Sequence, residues 1–215
     1  CHKIYREQSK LNKILLNMCG KENIMVILSS PSGVGKTTIT KKIQQKYPSF
    51  KISVSHTTRL PRSNEVNGVD YNFITNNEFE KLIKEKKFYE YAKIFENYYG
   101  TLKKSVDETI LKNDIIFDID WQGTKQLSKY INLKLIKIYL VTENKKELKK
   151  RLVNRNQNTE KEVEKRFNSF DEDIKHWSDY DYILINKNLD NCFKQIEEII
   201  LSKKNTTINF SQKVQ

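Results

Sequence analysis

An α/β domain is predicted, a parallel sheet with helices on both faces. Three observations predict it: four short apolar runs rich in β-branched residues, stretches of helical period between them, and a glycine-bearing turn leading from the first run into a helix. The first run is Ile24-Met25-Val26-Ile27-Leu28, whose unbroken apolar character suits a strand buried on both faces. The turn follows, and Thr37 to Lys46 then takes helical spacing. Asp114-Ile115-Ile116-Phe117-Asp118-Ile119, Leu135 to Val141 and Asp181 to Ile185 are the second, third and fourth strands. Val163, Phe167, Phe170 and Ile174 recur at i, i+4, i+7 and i+11, one face of a single helix, with Thr159 and Glu162 spaced as a capping box at its start. Leu189, Phe193, Ile196 and Ile200 repeat that spacing in a last helix.

The stretch 53–104 breaks this rhythm. It holds polar loops, short aromatic strands around Tyr71-Asn72-Phe73 and a short helix near 77–86, and reads as an inserted substrate-binding subdomain. Residues 1–22 read as an N-terminal extension and 205–215 as a C-terminal tail, leaving 23–204 as the domain. The extension carries several lysines, but Glu7 and the lack of a clear apolar segment weaken a targeting role.

The chain has 215 residues, enough for one α/β domain with an insertion and a buried core. No run of 18 apolar residues occurs, so no membrane span is expected. Cys1, Cys19 and Cys192 are odd in number and widely spaced, which points to a reducing, cytoplasmic compartment rather than a disulfide framework. His2, His56 and His176 are scattered, without transition-metal spacing. A net charge of +12 suits either nucleic acid or anionic nucleotides. The lysines are dispersed and no nucleic-acid-binding motif appears, which favours nucleotides over nucleic acid.

The turn after the first strand reads Ser30-Pro31-Ser32-Gly33-Val34-Gly35-Lys36-Thr37. It matches the phosphate-binding P-loop pattern at Gly35, Lys36 and Thr37, with Ser30 where the first glycine usually stands. Gly33 and Gly35 allow backbone N–H groups to curl around a phosphate at a helix N-terminus. Lys36 would reach the β- and γ-phosphates of ATP, and the Thr37 hydroxyl would help hold Mg²⁺. Ser30 is tolerable if its φ is negative. Asp118, ending the second strand, sits where an acidic residue meets Mg²⁺, directly or through water, in P-loop enzymes. The fold class is therefore refined to the P-loop NTPase type.

The acceptor is read from Ser53-Val54-Ser55-His56-Thr57-Thr58-Arg59-Leu60-Pro61-Arg62, continuing through Glu65, Gly68 and Asp70-Tyr71-Asn72-Phe73. Arg59 and Arg62 offer two planar forks to a phosphate, unless they are simply solvated surface. Ser55, Tyr71 and Tyr99 add neutral donors. This segment closely resembles the GMP-binding signature of guanylate kinases. So do Asn97-Tyr98-Tyr99-Gly100-Thr101 and Asp118-Ile119-Asp120-Trp121-Gln122-Gly123, which look most like the bacterial branch. The resemblance runs from about Ile24 to about Leu201.

The resemblance implies transfer of the terminal phosphate of ATP to GMP, with Mg²⁺ as cofactor and dGMP as a further acceptor. It implies that Ser55, Arg59, Arg62, Glu65, Tyr71 and Tyr99 surround GMP, and that Glu90, Thr101 and Asp120 read its base. An ionised carboxylate is acceptor-only, matching the adjacent N1–H and N2–H₂ donors of guanine and repelling adenine. From the residues alone Glu90, between Tyr89 and Tyr91, reads as a surface carboxylate; the resemblance reverses that. It further implies a lid within 144–175, with Arg151, Arg155 and Arg166 facing ATP and Asn186 beside the adenine. Asn154 and Asn156 stand where the family has glycines around its central arginine, and Lys187 where it has Asp. Lys36, Arg59, Arg155 and Arg166 are the expected catalytic cations. Guanylate-kinase-like domains that only bind peptides typically lose the P-loop lysine, whereas Lys36 remains.

Overall fold

A computed structural model describes residues 23–130, 133–153 and 160–212. The central sheet comprises β1 (Met25–Ser29), β2 (Phe50–Ile52), β7 (Asp114–Asp118), β8 (Leu135–Val141) and β9 (Tyr182–Ile185). Its order is β2-β7-β1-β8-β9, and every pairing is parallel. Parallel strands need crossovers, so helices cover both faces. Alternate residues of β1 feed the two layers. Val26 and Leu28 join Ile39 and Ile43 of α1 (Lys36–Lys46), Leu148 and Leu152 of α5 (Lys145–Val153), and Ile196 of α8 (Leu189–Gln212). Met25 and Ile27 join Val106 of α3 (Lys103–Ile110), Leu127 of α4 (Trp121–Leu127) and Tyr139. Both layers leave β1 without solvent contact along most of its length.

The predicted strands and the α1 helix agree with the structure to within two residues. The short strand β2 carries too few residues to display a period and was not foreseen. The helix expected through Val163 and Ile174 is instead α6 (Glu160–Asn168) followed by α7 (Phe170–Ile174) and a 3₁₀ turn over Lys175–Asp179. At the break the Ser169 hydroxyl donates to the Arg166 carbonyl at 3.0 Å, a local bond that competes with the helical ladder. Thr159 of the expected capping box lies outside the described residues. The last helix continues to Gln212, into the segment expected to be a tail.

The insertion forms a second sheet of four strands, β4-β3-β6-β5, from β3 (His56–Thr57), β4 (Asn72–Phe73), β5 (Phe88–Ile94) and β6 (Asn97–Leu102). Its helix α2 (Asn76–Lys84) starts at a capping box, with Thr75 accepting from the Glu78 amide and Glu78 accepting from the Thr75 amide. The fully buried Phe79 of α2 stacks on Phe88 at 4.5 Å and on Tyr98 at 5.2 Å, a small aromatic core for the insertion. Between Phe88 and Glu90 the pairing of β5 with β6 shifts register, a bulge that re-aims the next side chain. Among the described residues no helix is long and apolar enough to cross a membrane.

Candidate functional site

The loop Ser30–Thr37 joins β1 to α1 at the carboxyl end of the sheet, where strand order reverses and open α/β sheets bind ligands. Gly33 and Gly35 hold φ of +90° and +105°, the left-handed region that only glycine enters freely. Space excludes a side chain too: a Cβ at Gly33 would meet Leu152 Cδ2 at 2.7 Å, and one at Gly35 would meet Asn186 Nδ2 at 2.8 Å. Ser30 keeps a negative φ, so serine fits there, and its hydroxyl donates to the Pro31 carbonyl at 2.9 Å.

Three expected donor-side groups converge. Lys36 Nζ lies 3.1 Å from Asp118 Oδ1 and donates to the Ile119 carbonyl at 3.0 Å. Thr37 Oγ1 donates to Asp118 Oδ2 at 2.9 Å. The pairing of Leu28 with Asp118 in the β1–β7 ladder fixes this meeting, since it sets the carboxylate beside the root of the loop. Asn186 is buried and donates from Nδ2 to the Val34 carbonyl at 2.7 Å, so it supports the loop from beneath. Arg151 donates to the Val34 carbonyl at 3.3 Å and the Asn186 carbonyl at 2.9 Å. Arg166 donates to the Ser32 hydroxyl at 2.7 Å. Arg155, Asn154 and Asn156 lie outside the described residues.

On the insertion, Glu65 gathers both arginines. Arg59 donates through Nη1 and Nη2 to its two oxygens at 2.9 and 2.8 Å; Arg62 donates through its amide at 2.8 Å and Nη1 at 3.4 Å. The arginines are thus held in place rather than solvated as surface chains, with side-chain exposures of 16% and 24%. Burial pushes the Glu65 carboxyl up, but the bonds and charges of Arg59 and Arg62 outweigh it and hold the group below its ordinary value. The Arg59 guanidinium lies over the Tyr71 ring at 5.4 Å, and Tyr71 meets Tyr99 edge-on at 5.9 Å. Burial, and then the charge of Asp118, push the Tyr71 phenol up, so it stays a donor.

Glu90 is not at the surface: it is 3% exposed. The bulge of β5 turns it inward, where it is hydrogen-bonded to Thr101. Burial first, then the charge of Asp120, push its carboxyl up to about 7, against the opposing pull of Thr101 and Lys36. Asp120 caps α4, accepting from the Gly123 amide at 3.0 Å and from Gln122 Nε2 at 3.1 Å. The hydroxyls of Ser55 and Thr101, both buried, stand 3.4 Å apart in the same pocket.

Two neighbours were not foreseen. Asp173 on α7 is pushed up to about 6 by burial and by Asp120, and is hydrogen-bonded to Trp121 and Ser169. The run Asp171-Glu172-Asp173 gives no sign of which acid turns inward. Gly123 lies buried in α4 against Glu90; its segment carries the family resemblance, but that resemblance gave the glycine no role at the site.

The guanylate kinase family model matches residues 22–203. The chain is 42% identical over 186 residues to a guanylate kinase of Clostridioides difficile, covering 86% of this chain and 90% of that one. It is 41% identical over 197 residues to one from Wigglesworthia glossinidia brevipalpis, covering 90% and 95%. The crystal structure of guanylate kinase from Anaplasma phagocytophilum superposes with a TM-score of 0.71 at 26% identity, covering 86% of this chain and 87% of that one. With a phosphate loop, an arginine pair and a buried carboxylate in one fold, and with matches spanning most of its length, the chain belongs to the guanylate kinase family.

Proposed function

We propose that the chain transfers the terminal phosphate of ATP to GMP, giving ADP and GDP, with dGMP as a further acceptor. The observation that carries this reading is that one short segment meets both halves: Lys36 donates to the Ile119 carbonyl at 3.0 Å, and the buried Glu90 carboxylate packs against Gly123 just beyond it. A base-reading acceptor and a phosphate-loop cation would therefore face the same pair of substrates. Glu90 would accept the N1–H and N2–H₂ donors of guanine, with Thr101, Ser55 and Asp120 completing the pocket. Adenine has no N2 amine and carries a lone pair at N1, so it would leave the carboxylate unpaired. A buried group left so can give discrimination of roughly 10⁴-fold.

Arg59, Arg62, Tyr71 and Tyr99 would hold the GMP phosphate. The loop Ser30–Thr37 would wrap the ATP phosphates, with Arg151 and Asn186 fixing its shape from behind. A GMP phosphate oxygen attacks the γ-phosphorus in line, the bond to the β–γ bridging oxygen breaks, and ADP leaves. Lys36, Arg59, Arg155 and Arg166 would neutralise the charge that builds on the transferring group. The oxygens of Thr37 and Asp118, 2.9 Å apart, are the hard donors that suit Mg²⁺, directly or through water. When bound, the ion would neutralise phosphate charge. No general base is required, since the attacking phosphate oxygen is already anionic.

The test is ADP formation from Mg·ATP with GMP, dGMP, AMP, UMP or dTMP supplied one at a time. Turnover with GMP and little with AMP is expected. Equal turnover with AMP, or none with GMP in folded protein, would overturn the reading.

A further inference from the structure

Gly123 is the third residue of α4, buried, and its φ is not in the positive region. Its backbone is one that any residue adopts, and glycine is the poorest helix former short of proline. Neither backbone geometry nor helix propensity therefore accounts for a glycine here. Space does. A Cβ at this position would stand 2.6 Å from Glu90 Oε2, closer than real Cβ atoms come, and a tight 3.1 Å from Glu90 Cδ, with Ile119 Cβ at 3.4 Å on another side. The same residue donates its amide to Asp120 Oδ1 at 3.0 Å. Gly123 thus touches both carboxylates of the pocket, one through its N–H and the other through its missing side chain.

We infer that Gly123 is a specificity-determining residue, whose lack of a side chain lets the Glu90 carboxylate seat against α4 where it can take both edge donors of guanine. The inference rests on the proposed reading of Glu90 as the base-reading acceptor. Glu90 is 3% exposed, so packed neighbours leave its carboxylate little freedom to yield in any direction but the pocket. A methyl at position 123 would push the carboxylate into the pocket and off one of the two guanine donors. The N2 amine distinguishes GMP from IMP, so preference between those two nucleotides reports the displacement directly.

The experiment is Gly123→Ala alone, Glu90→Asp alone and the two combined, assayed with GMP and IMP and melted in parallel. Gly123→Ala is expected to raise the KM for GMP at least tenfold, to leave the KM for ATP within twofold, and to shrink the GMP-over-IMP preference about tenfold. Glu90→Asp withdraws the carboxylate by one methylene. The double variant should therefore be no worse than Glu90→Asp alone in KM for GMP, and should melt higher than Gly123→Ala. Unchanged GMP kinetics in Gly123→Ala would overturn the inference. So would additive losses, or a double variant that melts no higher than Gly123→Ala, including failure of both to fold. Wild-type protein inactive with GMP would instead overturn the underlying reading of the acceptor site.

Discussion

The two regions proposed to hold phosphate are built from different materials. The donor loop presents backbone: Gly33 and Gly35 in left-handed geometry, braced from outside by Leu152, Asn186 and Arg151. The acceptor region presents side chains held by other side chains: Arg59 and Arg62 on Glu65, and Glu90 on Thr101. A backbone site is fixed once the chain has folded, and its charge does not vary with pH. A side-chain site depends on the protonation and presence of its supports. Substitutions should therefore separate the two: Lys36 apart, the donor side should be sensitive to shape and the acceptor side to charge.

The largest effect is expected at the one side-chain charge of the donor loop. Lys36→Met should lower kcat by about 10²–10³-fold, as removal of a single electrostatic stabiliser does elsewhere, while the melting temperature stays near wild type. Lys36 is only part-buried, and its losses are the Asp118 ion pair and one bond to a carbonyl. Near-normal turnover would show that the loop backbone alone carries the donor phosphates.

A smaller and more diagnostic effect belongs to Glu65→Gln, which keeps the shape and removes the charge. Charge-assisted bonds contribute about 1.5–3 kcal/mol each, so loosening both arginines should raise the KM for GMP about tenfold and leave the KM for ATP unchanged. A fall in the KM for GMP would reverse the comparison. It would mean that Glu65 competes with the phosphate for the arginines rather than holding them.

The contrast in materials also decides what the sequence revealed. A backbone site leaves a contiguous signature, because glycines must sit at fixed offsets between strand and helix. The loop, β1 and Asp118 were legible for that reason. The arginine pair was legible through a short segment, although the grip of Glu65 on it needed coordinates. Glu90 was not legible from its neighbours. Its inward aim comes from a one-residue bulge in β5, and Tyr89 and Tyr91 on either side suggest an exposed strand. Asp173 and Gly123 reach the pocket only because α7 and α4 close against it, long-range packing that no local pattern encodes. The break at Ser169 was missed because the apolar spacing runs across it unchanged, while a side-chain hydrogen bond interrupts the backbone.

The mildest way to separate the two regions is pH. Burial raises the Glu90 carboxyl to about 7, above its unfolded value of 4.5. The sign for folding follows: stability from the protonated group is fully present below 4.5 and is lost as pH rises through about 7. The sign for guanine is opposite, because only the ionised carboxylate accepts two N–H donors. GMP binding should therefore weaken as pH falls below about 7, by about tenfold between pH 8 and pH 6, while the KM for ATP stays nearly flat. The GMP phosphate itself titrates near pH 6, so the measurement is the difference between wild type and Glu90→Gln in the same buffers. Calorimetry at pH 6.5 in buffers of different ionisation enthalpy should find wild type releasing more protons on binding GMP than Glu90→Gln does. Equal proton release by the two proteins would mean that Glu90 is not the group that ionises against guanine. The acceptor site would then read its base as the donor loop holds its phosphates, by shape alone.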